Sequence, residues 1–410
     1  MSARPVAVTG IGVVASVGAD RESFWESLCA GRPGFSLLDL PPGAELKFRQ
    51  GGVARAYDPP RHFEPKQLDL ADRFSQFLLV AAREALADSG LAAAAVAGER
   101  TAIVTGSCLG GQTTEDAYFV DLYQNGKTRM PPLSIPRIMA NAGASLLTME
   151  LGVTGPSWTV STACSSSNHA LGQALWLLRH GQADLAIAGG SEAPFSYGNL
   201  KAWEALRSVS PDTCRPFSAD RSGLVLGEGA AVLILEPLDR ARARGARPYA
   251  ELAGLGMSSD ARHITQPSAE GAARAIVAAL ADAGLAPEQI DYVNAHGTAT
   301  LANDPVETRA LRIAHGAHAE RLAISSTKSM HGHALGAAGA LEAAATCLAL
   351  ARGILPPTAN FTRADPECDL DVIPNTARRR EIGAALSNSF AFGGLNAVLA
   401  FRACPGRKIG

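Results

Sequence analysis

The chain has 410 residues, of which 47% are hydrophobic and 19% are charged, and its 37 basic and 39 acidic side chains give a net charge of −2. This composition is typical of a globular protein and argues against disorder, collagen and coiled coil. The near-neutral charge gives no indication of nucleic acid or an anionic membrane as a partner.

The longest apolar runs, such as residues 91–97 and 230–235, are far shorter than the roughly 18 residues of a membrane-spanning helix, so no membrane span is expected. The chain begins with a strand-like segment and has no features of a secretory signal, which predicts a cytoplasmic protein. Its seven cysteines form no C-x-x-C pair, so neither a disulfide framework nor a zinc site is indicated.

Strand-like and helix-like segments alternate along the chain, which predicts an α/β fold. Strands are expected at residues 6–9 and 101–105. Helices are expected at residues 21–30, 73–87, 165–180 and 337–352. Pro, Gly and charged residues between 210 and 249 indicate a junction there.

Two echoes in the sequence indicate an internal duplication. The segment ALADSGL at residues 85–91 recurs as ALADAGL at residues 279–285, and a glycine closes the expected helix in each. The second echo is positional, because Cys164 and His333 each precede a helical stretch that a glycine ends. The predicted halves are residues 1–249 and 250–410.

The first candidate for chemistry is Cys164, which follows an apolar strand and precedes a helix. At a helix N-terminus, free amides and the helix dipole lower the pKa of a thiol and favour the nucleophilic thiolate. The alternative is an inert, buried cysteine that only fills the turn between strand and helix.

Histidines mark two further segments. His296 follows a strand among Gly and Thr residues, where a loop can direct a side chain into a cleft, although a hydrogen-bonded turn residue fits this segment alone slightly better. Lys328, His331 and His333 lie together just before a helix. The last two histidines suggest a metal pair, but no acidic or cysteine ligand lies close in sequence to complete a metal site.

Glycines define the remaining two segments. The run NSFAFGGLN at residues 388–396 would let a backbone approach a substrate and offer amides to an oxyanion, unless it is only a bulge between strands. The run GIGVVA at residues 10–15 resembles a dinucleotide fingerprint, but its last position is Ala and no second strand ends in an acidic residue at the required distance. Nucleotide binding is therefore not expected.

In their order and spacing, these segments resemble the β-ketoacyl-acyl carrier protein synthases, especially the elongating ketosynthases of type II fatty acid and polyketide synthesis. The resemblance covers nearly the whole chain. Its motifs are VTGIGVV near the start, GSCLGG at 106–111, STACSSS at 161–167, RPFSADRSGLVLGEGAA at 215–231, NAHGTAT at 294–300, STKSMHGHALGAAGALE at 326–342 and NSFAFGGLNA at 388–397. It implies the thiolase fold, in which duplicated βαβα halves form five α-β-α-β-α layers, and a dimer.

The resemblance also implies a reaction, an acyl transfer followed by decarboxylative Claisen condensation with malonyl-acyl carrier protein. Cys164 would carry the acyl chain as a thioester, while the amides of Cys164 and Phe390 would bind the oxyanion. His296 and His333 would bind the malonyl thioester carbonyl and stabilise the enolate.

Residues behind the two histidines have implied roles as well. Lys328 and Glu307 would form a charged pair that biases protonation, and Asp304 fits the same buried network. No organic cofactor is implied. Related enzymes can hold a structural monovalent cation, Na⁺ or K⁺, at the positions of Asn294, Glu342, Ser387 and Asn388.

The last motif carries the expected gate, with Phe390 as the residue that swings to admit the acyl chain. The gate and its loop comprise Phe390, Ala391, Phe392 and Gly393. Ala391 and Leu395 replace the glycine and threonine usual in the family, His331 replaces a threonine, and Gln266 is unusual in its loop. These departures favour a specialised ketosynthase of a polyketide or polyene pathway over a housekeeping fatty-acid elongating synthase.

An acyl carrier protein, loaded with an acyl or a malonyl group, is the implied partner. Because carrier proteins are acidic, docking is expected on basic side chains, here Lys66, Lys127 and Arg129. Leu109 would wall the acyl tunnel near the dimer interface. Specialised enzymes often pair with a chain-length-factor relative, so a homodimer and a heterodimer both remain open.

Two rival functions can be compared with the sequence. A biosynthetic thiolase would have a second cysteine near its C-terminus, where this chain has Gly393 and Gly394. A non-catalytic chain-length-factor-like subunit would have lost the nucleophile, whereas this chain keeps Cys164 with both histidines. A ketosynthase is the function that the sequence favours.

Overall fold

The computed structural model describes residues 4–404. The strands of its main sheet are β1 (Val6–Ala15), β2 (Thr101–Gly106), β3 (Ser157–Val160), β4 (Leu185–Glu192), β5 (Gly229–Pro237), β6 (Ala250–Ser259), β7 (Tyr292–Asn294), β8 (Ala323–Ser325), β9 (Ala384–Phe390) and β10 (Leu395–Ala403). Two-residue strands lie at Ser36–Leu37, Gln50–Gly51, Ile354–Leu355 and Arg378–Arg379.

Nine helices of nine residues or more occur in the described part of the chain. They are α1 (Arg21–Cys29), α2 (Arg73–Ser89), α3 (Gln112–Tyr123), α4 (Ala142–Leu151), α5 (Ser166–Arg179), α6 (Tyr197–Leu206), α7 (Ala269–Ala283), α8 (Asn303–His315) and α9 (Ala338–Arg352). Shorter helices lie at Pro65–Leu68, Ser134–Ile138, Leu238–Ala243 and Lys328–His331.

The sheet repeats one strand order in its two halves. The full order is β8-β7-β9-β10-β6-β1-β5-β4-β2-β3. Read outward from the centre, the first half is β1-β5-β4-β2-β3 and the second is β6-β10-β9-β7-β8, with the same pattern of parallel and antiparallel neighbours. The duplication that the sequence echoes indicate is therefore present in the fold.

Helices cover and separate the two halves. The outer helices are α2, which packs on β1, β4 and β5, and α7, which packs on β6 and β10. The central helices α5 and α9 contact each other and strands of both halves. Residues 338–351 of α9 are all buried. The five-layered fold implied by the resemblance is confirmed.

The segment Leu335–Arg352 is long and apolar enough to cross a membrane by length and composition, although no such segment was expected from the apolar runs. Ninety-four per cent of it is buried inside the protein. Its apolar character is explained by its position between the two halves, where it faces protein on all sides.

The two outer helices have similar boundaries. The carboxylate of Asp72 accepts the Phe74 amide and starts α2, while Gly90, with φ +68°, ends it. Ser268 starts α7 in the same manner, and Gly284, with φ +60°, ends it. Glycine adopts this left-handed conformation at little cost, so these glycines stop the helices where the sequence predicts.

The run that resembles a dinucleotide fingerprint lies inside β1. The strand extends to Ala15, beyond the expected end at Thr9, because its residues continue to pair with β5. A Cβ added at Gly12 would lie 1.9 Å from the carbonyl oxygen of Ala81 on α2. These glycines therefore permit close packing of a helix on a strand.

Residues 210–249, where a junction is expected, are folded into the sheet. They contain the long buried strand β5, which pairs with β1 on one side and β4 on the other. Because β6 then pairs with β1 at Val6–Val8, the two halves are joined through the centre of the sheet.

Candidate active site

Cys164, His296 and His333 meet in the interior of the protein. A ligand atom from each lies within 4.8 Å of the others, and all three side chains are buried. Cys164 precedes α5, His296 follows β7, and His333 lies between the short helix Lys328–His331 and α9. The structure thus brings together the three residues that the sequence singles out for chemistry.

Cys164 occupies a tight turn between β3 and α5. The residue before it, Ala163, has φ +50°, a conformation that residues with a side chain rarely adopt. Burial raises the pKa of the Cys164 thiol to about 11, although Lys328 and the amides of Phe392 and Cys164 oppose the rise. The expectation of a lowered pKa is therefore wrong, because desolvation outweighs the helix terminus.

The environment of His296 fixes which ring nitrogen carries a hydrogen. The Lys328 ammonium lies 3.3 Å from Nδ1 of His296 and donates to the carbonyl oxygen of the same residue at 2.7 Å. An ammonium only donates hydrogen bonds, so Nδ1 accepts and Nε2 carries the hydrogen. Burial and the neighbouring Lys328 hold the pKa of His296 well below its usual range, which keeps the ring neutral.

His333 has the same arrangement through a different donor. The backbone amide of Leu335 donates to Nδ1 of His333 at 3.2 Å, which leaves the hydrogen on Nε2. Burial, followed by the charge of Lys328, lowers the pKa of His333 well below its usual range. Both rings, whose centroids are 5.4 Å apart, are thus neutral hydrogen-bond donors through Nε2.

Cysteine and histidine are also zinc ligands, so the three residues have the right chemistry for a metal. A ring nitrogen that carries a hydrogen has no free lone pair for coordination. The tautomers of His296 and His333 therefore favour hydrogen-bond donation from Nε2.

His331 does not join this group. Its Nε2 lies 3.0 Å from the Thr327 hydroxyl and its Nδ1 lies 2.7 Å from the Gly332 carbonyl. Because both ring nitrogens have partners on its own turn, His331 and His333 do not form the metal pair that their spacing suggests.

The predicted ion pair of Lys328 with Glu307 is wrong. Lys328 forms a fully buried salt bridge with the carboxylate of Glu342. Glu307 instead accepts the backbone amides of His296 and Gly297, at 2.8 and 2.7 Å. Glu307 therefore holds the loop that carries His296, whereas Glu342 balances the charge of Lys328.

Asp304 is joined to Glu307 through the Asn303 side-chain amide, which lies 3.2 Å from Asp304 Oδ1 and 3.4 Å from Glu307 Oε2, so the expected shared network is present. The Asp304 carboxylate accepts the Phe217 amide at 2.8 Å and lies 4.0 Å from the Arg221 guanidinium. Burial raises the pKa of Asp304 to about 6. Arg221 donates to the carbonyl oxygen of Thr300 at 3.2 Å, so this network supports the loop after His296.

The four residues expected at a cation site each have an unsatisfied buried oxygen. The atoms are Asn294 Oδ1, Glu342 Oε2, Ser387 Oγ and Asn388 Oδ1. Asn294 and Ser387 are register partners on β7 and β9, and the Asn294 amide lies 3.4 Å from the Glu342 carbonyl oxygen. Oxygen atoms of this kind are the ligands that Na⁺ and K⁺ require, so the residues fit a monovalent cation.

The structure places the two phenylalanines of the expected gate in different surroundings. Phe390 is buried at the end of β9, where its backbone pairs with Asn396, and its ring lies 6.1 Å from that of His296. The amide that acts on the Cys164 thiol belongs to Phe392, not to Phe390 as predicted. Phe392 lies in the turn after β9 and is 37% exposed, and the role of either phenylalanine as a gate stays a prediction.

A pocket of about 290 Å³ leads to Cys164, His296 and His333. Its wall is formed by the end of α6, by residues 263–267, by the loop after His296 and by the turn after β9. Gln266 and Ala391, two of the departures from the family pattern, are part of this wall. Leu109 does not line this pocket and packs instead with an apolar cluster around Leu226.

The three expected docking residues, Lys66, Lys127 and Arg129, are exposed, and none lines this pocket. Lys127 forms a salt bridge with Asp121 at 2.6 Å. Arg207, at the C-terminal end of α6, is an exposed cation next to the pocket wall. Their role in docking stays a prediction.

Trp203 is a residue of the pocket that the motifs do not include. It lies on α6 and its ring stacks on Phe392, with centroids 6.1 Å apart and planes at 26°. A single aromatic residue on a short helix usually indicates core packing, so the sequence offers no signal for this position. The contact becomes visible only when α6 and the turn after β9 are brought together.

Comparisons with known proteins cover both halves of the chain. Residues 3–241 match the model of the β-ketoacyl synthase N-terminal domain, and residues 249–362 match that of the C-terminal domain. Nodulation protein E of Rhizobium sp. is 47% identical over 405 residues, 97% of this chain and 99% of that protein. The 3-oxoacyl-[acyl-carrier-protein] synthase 2 of Synechocystis sp. is 40% identical over 97% of each chain.

Solved structures agree with these matches. The ishigamide ketosynthase/chain length factor superposes with a TM-score of 0.94 at 36% identity, covering 98% of this chain and 100% of that chain. A type II polyketide ketosynthase in complex with its acyl carrier protein superposes with a TM-score of 0.88 at 33% identity, again over 98% and 100%.

Proposed function

The chain belongs to the β-ketoacyl synthase family and is a 3-oxoacyl-[acyl-carrier-protein] synthase, and we propose that Cys164, His296 and His333 carry out its condensation reaction. The observation that carries this assignment is the hydrogen-bond donor at Nδ1 of each histidine, Lys328 for His296 and the Leu335 amide for His333, which leaves both Nε2–H groups free to donate. Two neutral Nε2–H donors beside a thiol are suited to an enolate that forms next to an acyl thioester.

The first half of the reaction loads the acyl chain. The Cys164 sulfur attacks the thioester carbonyl of the acyl-carrier protein, the bond from that carbonyl to the carrier sulfur breaks, and the thiol proton leaves with the carrier thiol. The amides of Cys164 and Phe392 donate to the oxyanion that forms in between, since both act on the thiol in the free enzyme.

The second half forms the new carbon–carbon bond. Malonyl-carrier protein binds with its thioester carbonyl against Nε2–H of His296 and His333. Carbon dioxide leaves, the electron pair of the broken bond forms the enolate, and its carbon attacks the acyl group on Cys164. The Cys164 thiolate departs and takes up a proton. The neutral donors stabilise the negative charge of the enolate by hydrogen bonds, so decarboxylation needs no proton transfer.

We assign the reaction to a specialised polyketide or polyene pathway. In support, a protein named for nodulation is more similar to this chain, at 47% identity, than the synthase 2 of Synechocystis, at 40%. Ala391 and Gln266 in the pocket wall also depart from the usual family pattern. A housekeeping role in fatty-acid elongation is the second candidate, supported by the 3-oxoacyl synthases among the relatives.

A monovalent cation, Na⁺ or K⁺, is proposed at Asn294, Glu342, Ser387 and Asn388, whose unsatisfied oxygens support it. When bound, it would supply positive charge beside the buried salt bridge of Lys328 with Glu342. We expect a higher melting temperature in KCl or NaCl than in choline chloride of equal ionic strength. Ser387→Ala should reduce that difference, and an equal melting temperature in all three salts would count against the site.

The proposed partners are an acyl carrier protein and a second ketosynthase-like subunit. Strand β3 lies at the end of the sheet, and exposed apolar side chains lie nearby in sequence on α3 and on the helix Ser134–Ile138. A sheet edge beside apolar surface supports a subunit contact there. The seven unpaired cysteines support a reducing compartment, the cytoplasm.

The test is a condensation assay with purified protein, malonyl-carrier protein and a panel of saturated and polyunsaturated acyl-carrier proteins, with products identified by mass. Cys164→Ala serves as the control for acyl transfer. Extension restricted to unsaturated chains, or dependent on a second subunit, would support the specialised pathway. Broad extension of saturated chains by the protein alone would support the housekeeping alternative, and no extension of any chain would contradict the proposed function.

A further inference from the structure

Glu192, at the end of β4, is a fully buried carboxylate surrounded by neutral hydrogen-bond donors. Its Oε1 accepts the Ser107 hydroxyl at 2.9 Å and the Leu109 amide at 3.2 Å. Its Oε2 accepts the amide and the thiol of Cys108, at 2.8 and 2.9 Å, and the Gly336 amide at 3.0 Å. One side chain thus ties together two turns that are far apart in sequence.

Of these two turns, at residues 107–109 and 335–336, the second donates a hydrogen bond to His333. Leu335, next to Gly336, has φ +46°, a left-handed conformation that a residue with a side chain rarely adopts. In this conformation, the Leu335 amide points at Nδ1 of His333. The bond from Gly336 to Glu192, together with that from the Ser167 hydroxyl to the Gly336 carbonyl, holds the turn in place.

A buried carboxylate needs a structural reason, because burial disfavours the charged form. Burial raises the pKa of Glu192, and the hydrogen bonds from Cys108, Ser107 and Leu109 act against that rise. All five donors lie on the two turns, and none of them is a cation. The carboxylate is therefore suited to holding the two turns together by accepting hydrogen bonds from their backbone amides.

We propose that Glu192 is a positioning residue that holds the Leu335 amide against His333 and thereby keeps the Nε2–H of His333 directed at the malonyl thioester. This inference rests on the proposed function. Without the Leu335 amide, the neutral ring of His333 can place its hydrogen on Nδ1 instead, and Nε2 then becomes an acceptor that cannot stabilise an enolate. Glu192 thus acts on decarboxylation, while acyl loading at Cys164 does not need it.

The experiment separates the two half-reactions in Glu192→Met, which keeps the side-chain length and removes both acceptor oxygens. Decarboxylation is followed as carbon dioxide released from malonyl-carrier protein, and the state of Cys164 as its rate of alkylation by iodoacetamide. We expect decarboxylation to fall at least about tenfold, with alkylation within about twofold of wild type. Glu192→Gln, which retains one acceptor oxygen for Gly336, should restore most of the decarboxylation.

Glu236→Met is the matched control, because Glu236 is equally buried at the far side of the sheet and is bonded to Thr9 and Arg244. If Glu192→Met decarboxylates at the wild-type rate, or loses both activities in parallel as a loosened fold would, the inference is overturned. If Glu192→Met does not fold, Glu192→Asp, whose shorter side chain cannot reach both turns, decides by the same two rates. Wild-type protein that releases no carbon dioxide would overturn the proposed function itself, a result distinct from an unaffected variant.

Discussion

The charge of Lys328 acts on the two candidate catalytic histidines and on the Cys164 thiol. Its ammonium lies against His296 and forms the buried salt bridge with Glu342. The same charge lowers the pKa of both histidines and opposes the rise in the pKa of the Cys164 thiol. Burial and this one cation together keep both histidines neutral, and the cation leaves the thiol more acidic than burial alone would.

Replacement of Lys328 by Met should slow the alkylation of Cys164. Without the ammonium, the thiol pKa should rise further above about 11, and the thiolate fraction at pH 8 should fall. We expect inactivation by iodoacetamide at pH 8 to be about tenfold slower, with the pH profile displaced to higher pH. Lys127→Met, which removes an exposed, salt-bridged lysine, is the control and should leave the profile unchanged. A profile of Lys328→Met that coincides with wild type would contradict this role.

The sequence predicted which residues form the site, but it did not predict which residues they bind. Cys164, His296 and His333 could be named from their motifs, because chemistry constrains their residue types. The partner of Lys328 could not, since Glu307 and Glu342 lie on different helices and only the packing of α8 and α9 decides which carboxylate reaches the ammonium. Phe390 and Phe392 differ only in whether the strand has ended, and the end of a strand is the least certain feature of a sequence prediction.

Helix α6 and the turn after β9 form one wall of the pocket. The Gly393 amide donates to the Ile264 carbonyl oxygen at 2.8 Å, which ties the turn to the neighbouring loop. On the other side, the ring of Phe392 stacks on Trp203. Trp203 therefore steadies the amide of Phe392 that is directed at Cys164.

Loss of this aromatic contact should slow acyl loading. In Trp203→Ala, the turn loses its aromatic support, and the Phe392 amide is held less firmly in the oxyanion site. We expect the rate of acyl transfer to Cys164, measured as acyl-enzyme by mass spectrometry, to fall about tenfold. Trp176→Ala removes an indole that is 37% exposed at the far end of α5, away from the pocket, and should have no effect. Equal rates in the two variants would exclude a role for the contact.

At the level of elements, a pair of glycine contacts repeats in the two halves. Gly12 on β1 faces α2, and Gly256 on β6 faces α7, where an added Cβ would lie 2.0 Å from the Ala275 carbonyl oxygen. Both contacts are between backbones, so no side chain can move aside to accept a methyl group. The sequence shows Gly12 only as part of a misleading fingerprint, because α2, the helix that it faces, does not follow β1 directly in the chain.

Gly12→Ala should therefore destabilise the fold strongly. A methyl group 1.9 Å from the Ala81 carbonyl oxygen forces β1 and α2 apart. We expect a loss of about 3 kcal/mol in the free energy of unfolding, measured by urea denaturation. Gly383→Ala is the control, because its Cβ would lie 3.6 Å from the Asp291 carboxylate, an ordinary contact. A Gly12→Ala variant as stable as this control would show that the strand and helix can separate without cost.

On the scale of the whole molecule, the sheet has an outer strand beside exposed apolar residues. Tyr123 is 77% exposed and Ile135 is 65% exposed. Exposure of such apolar surface to water is unfavourable, and contact with a second subunit would bury it. An α/β fold and its duplication could be predicted from the alternating segments and the repeated helix ends, and the five layers followed from the family resemblance. The identity of the subunit that covers this surface is set by another chain.

We expect the purified protein to have the native mass of a dimer, and the double variant Tyr123→Glu with Ile135→Glu to shift it toward the monomer. The added charges would be buried in the subunit contact, which is unfavourable without partners. Val277→Glu, on the outer helix α7, changes a residue that is 50% exposed and is the control. Light scattering after gel filtration gives the masses. A wild-type monomer that dimerises only with a chain-length-factor relative would identify the heterodimer.

The repeated strand order has a consequence for the ancestry of the site. Cys164 and His333 stand at equivalent positions, each just before the central helix of its half. A half-length ancestor would have carried one residue type at both positions, in two identical chains related by a two-fold axis. Fusion of two such copies would free each position to change alone, so that a cysteine could stand in one half and a histidine in the other. On this account, the difference between Cys164 and His333 in the pocket follows from the loss of that symmetry.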